Sequence, residues 1–167
     1  YMKERFIEKT EIPENTTKLY SHNLNVDKVN EEMLSKIEDE EEIPFLMDSE
    51  GNDALVTMLK KGCLSPETLL LKRGAVVMCT KNNPKEHFVN GTLGVVEEFD
   101  EYTGNPIIRT RRGKTIQITP MDWVVEENGK IKAQITQIPL RLAWAVTIHK
   151  SQGMSMDAAV MDLSGVF

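Results

Sequence analysis

The densest run of chemically able side chains is Thr147-Ile-His-Lys-Ser-Gln-Gly153. Its hydroxyls, imidazole, ammonium and amide follow Leu142-Ala-Trp-Ala-Val146, which is wholly apolar. Taken as a helix over 140–150, this stretch is apolar on every side, the pattern of a buried helix and not of an amphipathic one. In that geometry Thr147, Lys150 and Ser151 fall at i, i+3 and i+4 and share a face. Two hydroxyls and an ammonium on one face suit a phosphate. Gln152 adds an amide, and Gly153 lets a sugar or phosphate come close to main-chain N–H groups. A plainer alternative stands beside this: His149 and Lys150 complement the negative end of a helix dipole while the hydroxyls cap nearby carbonyls. A Thr–His–Ser hydrolase fits poorly, since neither a nucleophile elbow nor an acidic orienter accompanies His149.

Elements on either side must position this cluster. Thr16 to Tyr20 is a β-prone run, and Asn25 is placed to cap a helix with Val26, Val29, Met33 and Ile37 at helical spacing. His22 and Asn23 then sit at the end of the first strand, where an α/β sheet presents ligands; helix capping and turn formation account for them equally well. A second helix is expected over Asp53 to Lys61, with Ala54, Leu55, Met58 and Leu59 inward and Gly62 as its stop. From Thr68 the period changes to β. Runs at Leu69–Leu71, Ala75–Thr80, Thr92–Phe99, Pro106–Thr110, Thr115–Thr119, Trp123–Glu126 and Ile131–Ile138 are punctuated by Asn90-Gly91, Gly104-Asn105, Arg112-Gly113 and Asn128-Gly129. Such spacing describes a meander closing into a small barrel. Within it Arg109 and Arg111 alternate onto one face near a hairpin tip, either as a phosphate-tracking strip or as a basic edge that discourages strand pairing. After Pro139 the α/β character returns, and Ala158 to Leu163 has the continuous apolar run of a central parallel strand.

The net charge of −6 argues against a nucleic-acid partner only at first sight. Residues 1–66 carry 8 Lys/Arg against 15 Asp/Glu, whereas 67–135 carry 10 against 9, so the acidity belongs to the first third. Its centre, Glu38-Asp-Glu-Glu-Glu42, is a solvated run. The apolar stretch Leu142 to Ile148 is far shorter than the roughly 20 residues that cross a bilayer, and residues 1–10 are too charged for a signal peptide. No membrane partner is expected. Cys63 and Cys79 are isolated, and neither they nor the three histidines show metal-ligand spacing, which points to reduced thiols, no metal site and a cytoplasmic setting.

Pro139-Leu-Arg-Leu-Ala-Trp-Ala-Val-Thr-Ile-His-Lys-Ser-Gln-Gly-Met154 closely resembles motif V of superfamily-one DNA helicases of the RecD-like and PIF-type branch. Lys18-Leu-Tyr-Ser-His-Asn23 with Val26 and Asn30, Gly74-Ala-Val-Val-Met78 with Asn82, and Phe88-Val-Asn-Gly-Thr-Leu-Gly94 resemble the same family in the same order. The resemblance implies an α/β fold: a partial RecA-like domain interrupted by an inserted SH3-like β-barrel. The divisions would be 1–67 for its first part, 68–138 for the barrel and 139–167 for the return, a helix bearing motif V and then a strand. It implies ATP and magnesium in a longer parent, single-stranded DNA as partner, and a missing N-terminal RecA-like domain of the same polypeptide as the other jaw of the motor. Thr147, Lys150, Ser151, His22, Asn23, Arg109 and Arg111 would contact DNA, and His149, Gln152 and Gly153 would couple that contact to the nucleotide cleft.

A motor also needs the phosphate cradle G-x-x-x-x-G-K-[ST], and the sequence has none. Gly113-Lys114-Thr115 imitates its tail but lies between two β runs as an exposed hairpin, and Asp39-Glu40 has no apolar strand before it. No catalytic residue, ATP or magnesium is therefore expected on this chain by itself, and the family's final arginine motif is expected beyond Phe167. The rival expectation is a non-enzymatic SH3-like adaptor for nucleic acid or peptide, which would need an aromatic groove.

Overall fold

The computed structural model describes residues 17–20, 23–147 and 159–161. Strand β1 (Thr17–Tyr20) leads into helix α1 (Asn23–Ser35), followed by strands β2 (Ile43–Leu46) and β3 (Asp48–Gly51) and helix α2 (Asp53–Gly62). Strands β4 (Thr68–Leu71), β5 (Val76–Cys79), β6 (Leu93–Phe99), β7 (Pro106–Thr110), β8 (Thr115–Gln117), β9 (Met121–Glu127) and β10 (Lys130–Gln137) come next. The described chain ends with β11 (Leu140–Leu142), β12 (Ala145–Thr147) and β13 (Ala159–Met161). This is a mixed α/β fold.

Helix α1 begins at Asn23, two residues before the expected cap. Its buried stripe is Val26, Asn30 and Leu34, with Val29 and Met33 half-buried on the flank. Helix α2 is capped by Asn52, whose side-chain oxygen accepts from the N–H groups of Ala54 and Leu55 at 3.0 and 3.2 Å. It lies across β10, β3 and β9 through half-buried Leu55, Val56 and Leu59. Ala54 and Met58, expected inward, face solvent, because the sheet beneath offers the helix only one shallow face. Gly62 is the last helical residue, and the chain leaves it through extended Cys63.

Three β-sheets of two to five strands build the middle of the chain. The five-stranded sheet has the order β11-β5-β6-β7-β8, a second sheet has the order β3-β10-β9, and β2 pairs with β4, all antiparallel. The expected meander is present in β5 to β8, and Asn128-Gly129 turns β9 into β10 with both residues at positive φ. Gly94 is required by packing: a Cβ there would lie 2.8 Å from the Arg109 carbonyl oxygen on the neighbouring strand. None of the three sheets closes on itself among the described residues, since β9 pairs with β10 in the second sheet and not with β8. Pairing of β2 with β4, β3 with β10 and β11 with β5 also crosses the expected divisions at 67/68 and 138/139. Gln137 ties the small sheets together, its amide donating to the carbonyls of Phe45 and Pro66 at 3.0 and 2.9 Å.

The helix expected over 140–150 is not formed at 140–147. The residues form β11 and β12, separated by a bend at Ala143 and Trp144. An apolar run of this length suits a strand buried on both faces as well as a buried helix, and tertiary pairing decides between them. Leu140–Leu142 pairs with Val77–Cys79, and Ala145–Thr147 pairs with Lys18–Tyr20. Because β12 and β13 both run parallel to β1, the order β12-β1-β13 makes a small parallel sheet. Val146 and Leu34 pack into the same core as Val76, Leu93 and Ile108, so the parallel sheet and the antiparallel part share one interior.

Candidate nucleic-acid interface

The parallel register fixes where the polar segments emerge. Tyr20 stands opposite Thr147, so the chain after β1 and the chain after β12 leave the sheet at the same carboxyl edge. Asn23 opens α1 three residues beyond Tyr20. His22, His149, Lys150, Ser151, Gln152 and Gly153 lie outside the described residues. Thr147 is the last residue of β12 and is buried at 2% exposure. Because it ends a strand, the helical i, i+3, i+4 spacing that placed it beside Lys150 and Ser151 does not apply to it.

Buried hydrogen bonds hold the two strands together at their amino ends. Thr17 donates from its hydroxyl to the Ala143 carbonyl at 2.7 Å, and the Lys18 N–H donates to the Trp144 carbonyl at 2.8 Å. The Asn30 amide donates to the carbonyls of Ala145 and Leu142 at 2.9 and 3.3 Å, and its oxygen accepts from the Ala145 N–H at 2.9 Å. One turn earlier on α1, Asp27 lies 3.9 Å from Arg141, a guanidinium at 7% exposure whose Nε and Nη1 have no hydrogen-bond partner. Burial pushes the Arg141 pKa down, and the Asp27 charge partly opposes this. No role was assigned to Thr17, Asn30 or Arg141 from sequence. The available signal was a polar residue inside the i, i+4, i+8 stripe Val26-Asn30-Leu34, since a buried amide must find partners.

In the antiparallel part, Arg109 and Arg111 follow the expected alternation: Ile108 and Thr110 are buried while both arginines face outward. Both line one shallow cavity of about 350 Å³ beside Gly94 and Glu97. Arg109 Nε pairs with Glu97 Oε1 at 2.5 Å, which compensates part of its charge. Arg112 and Lys114 border a second cavity of similar volume with His87, Phe88 and Val89. Gly113-Lys114-Thr115 is the β7–β8 hairpin, with Gly113 at φ 83°, and Asp39-Glu40 forms a bend beyond α1. Neither stretch is a nucleotide cradle. Most aromatic side chains of this part are committed, while Tyr102, in the turn between β6 and β7, is 94% exposed. Phe88 is buried, Phe99 stacks on Phe45 with centroids 6.1 Å apart, and Trp123 lies under Lys81 at 4.6 Å. Among the described residues no group of three or more His, Cys, Asp or Glu is placed to hold a metal, and no helix is long and apolar enough to cross a membrane. Burial pushes the Cys63 thiol up and the Cys79 thiol up to about 12.

Parallel strands β12-β1-β13 joined to antiparallel sheets through one core define a mixed α/β unit. The proteins it resembles are Pif1 helicases. No family model matches the chain. It is 35% identical to ATP-dependent DNA helicase Pif1 of Psychrobacter sp. (strain PRwf-1), over 92% of this chain and 31% of that protein. It is 39% identical to ATP-dependent DNA helicase PIF1 of Xenopus laevis, over 90% of this chain and 24% of that protein. Among solved structures, Pif1 helicase from Candida albicans matches with TM-score 0.76 and 29% identity, over 95% of this chain and 41% of that one. Unliganded Pif1 from Bacteroides sp. matches with TM-score 0.73 and 27% identity, over 87% and 46%. The chain spans from 24% to 31% of the length of these curated relatives.

Proposed function

We propose that the chain is the C-terminal motor segment of a Pif1-type, ATP-dependent DNA helicase of the RecD-like branch, acting in the cytoplasm. The observation that carries this is the Tyr20–Thr147 register, which sets the last residues of β1 and β12 side by side at one edge of the parallel sheet. Similarity to Pif1 helicases over nine-tenths of the chain supports it. Single-stranded DNA is the partner: Bacteroides Pif1 has been solved bound to it. Lys150 and Ser151, with His22 and Asn23, contact sugar and phosphate at the sheet edge, and Thr147 anchors that segment from beneath. Arg109 and Arg111 track further phosphates, while His149, Gln152 and Gly153 couple the contact to the nucleotide cleft. Residues 1–67 and 139–167 then belong to a RecA-like lobe, and 68–138 to an inserted SH3-like module that borrows β3 as an outer strand.

ATP, as in the ADP-AlF4 complex of Bacteroides Pif1, and magnesium belong to the parent's cleft against its N-terminal RecA-like domain. The residues described here do not fit a nucleotide by themselves, so the chain alone hydrolyses no ATP above background. The adaptor alternative would have to rest on Tyr102, the large aromatic side chain exposed among the described residues, and is the less supported reading. The test is fluorescence anisotropy of the chain with labelled single-stranded oligonucleotides. Expected is weak binding without sequence preference that falls by about tenfold or more between roughly 50 and 200 mM salt. Salt-insensitive binding, or none at low salt, contradicts the phosphate-contact reading.

A further inference from the structure

Strand β12 is the outer strand of the parallel sheet. Trp144 turns its carbonyl toward β1 to accept from the Lys18 N–H, and successive residues of a strand alternate, so the N–H and C=O of Ala145 face away from β1. No strand covers that side among the described residues. Asn30 does. Its carboxamide donates to Ala145 O at 2.9 Å and accepts from Ala145 N–H at 2.9 Å, which replaces a neighbouring strand for one residue. Its second N–H reaches Leu142 O at 3.3 Å, so a single side chain bridges the bend between β11 and β12. The group is 4% exposed, where a carboxamide persists only with its partners made. An apolar side chain would fill the space and leave two backbone groups of the edge strand unpaired.

Asn30 lies seven residues, about two turns, along α1 from Asn23. Ala145 lies two residues before Thr147. We propose that Asn30 is a positioning residue that sets the register between the start of α1 and the segment following β12, so that both present their polar groups to one sugar–phosphate chain as a single unit. This rests on the functional reading above and adds to it a coupling that neither sequence motif contains. The Asp27–Arg141 contact at 3.9 Å spans the same interface without a hydrogen bond and cannot set a register.

The test is a double-mutant cycle on binding of the whole 167-residue chain to labelled oligo-dT, with Asn30→Ala, Lys150→Ala and the double variant. Gln137→Ala, which removes the buried amide tie between β10 and the carbonyls of Phe45 and Pro66, controls for general loss of stability. Lys150→Ala is expected to weaken binding about tenfold, and Asn30→Ala about fivefold with a shallower dependence on salt. The double variant should bind within about twofold of Lys150→Ala, because Asn30 acts through the same segment. Gln137→Ala should bind like the parent chain. If Asn30→Ala does not fold, Asn30→Asp replaces it in the cycle: at neutral pH it keeps the acceptor for Ala145 N–H and loses both donors. Additive effects of Asn30 and Lys150, or a Gln137→Ala loss equal to that of Asn30→Ala, overturn the positioning role alone. A Lys150→Ala chain that binds like the parent overturns the functional reading itself.

Discussion

The parallel sheet and the antiparallel part share a core but are joined in opposite ways. The antiparallel part is sewn by near neighbours: β5 to β8 meander in order, and β9 and β10 meet through a two-residue turn. The parallel sheet has strands of three and four residues, and its fastening bonds span the chain, with Thr17 reaching Ala143 across 126 positions and Asn30 reaching Ala145 across 115. Local turns make a region that is self-sufficient in register. Distant side-chain bonds make one whose register depends on a few polar groups, and that is the region next to which most of the candidate DNA contacts lie in the sequence.

Substitutions can break this comparison at either end. The largest effect is expected at Gly94, where a Cβ would meet the Arg109 carbonyl oxygen at 2.8 Å. Gly94→Ala should destabilise the chain by about 2–3 kcal/mol, as overpacking between two strands does, read as a drop in urea midpoint. A loss below about 0.5 kcal/mol would show that the sheet yields more readily than its close-packed strands allow. Next comes Thr17→Val, nearly the same shape, which leaves the buried Ala143 carbonyl without its 2.7 Å partner. About 1–2 kcal/mol should be lost, with DNA binding weakened as well, and weakened more than in Gly94→Ala measured where it remains folded, which disturbs only the secondary contacts Arg109 and Arg111. Equal binding losses in the two variants would erase the distinction between the regions. Smallest is Arg109→Ala. Its ion pair with Glu97 is largely exposed, so stability should change by less than about 1 kcal/mol. The salt slope for DNA should become shallower by about 1 if the guanidinium meets a phosphate.

The same contrast explains what could be read from sequence. Each β run expected between Leu69 and Ile138 has a counterpart in β4 to β10, because alternation and Asn-Gly or Gly turns act over a few residues. Strands β2 and β3 gave no such signal. Asp48–Gly51 is exposed throughout and is a strand only because β10 pairs with it. Leu142 to Thr147 was apolar enough for a helix, and only the distant strands β5 and β1 make it extended. Of the candidate contacts, the outward alternation of Arg109 and Arg111 was legible. The pairing of Tyr20 with Thr147 was not, since parallel register depends on contacts more than a hundred residues apart. Asn30 stood in a stretch resembling a helicase motif, yet its partners were invisible without the fold.

Photo-crosslinking probes the shared edge most directly. The chain, bound to a single-stranded oligonucleotide carrying 4-thiothymidine, is irradiated, digested and mapped by mass spectrometry. Adducts should concentrate in peptides containing residues 21–23 and 148–153, with a minor set at Arg109 and Arg111, and all should fade together as salt rises. Adducts confined to the antiparallel sheets, with both edge segments unlabelled, would contradict the account.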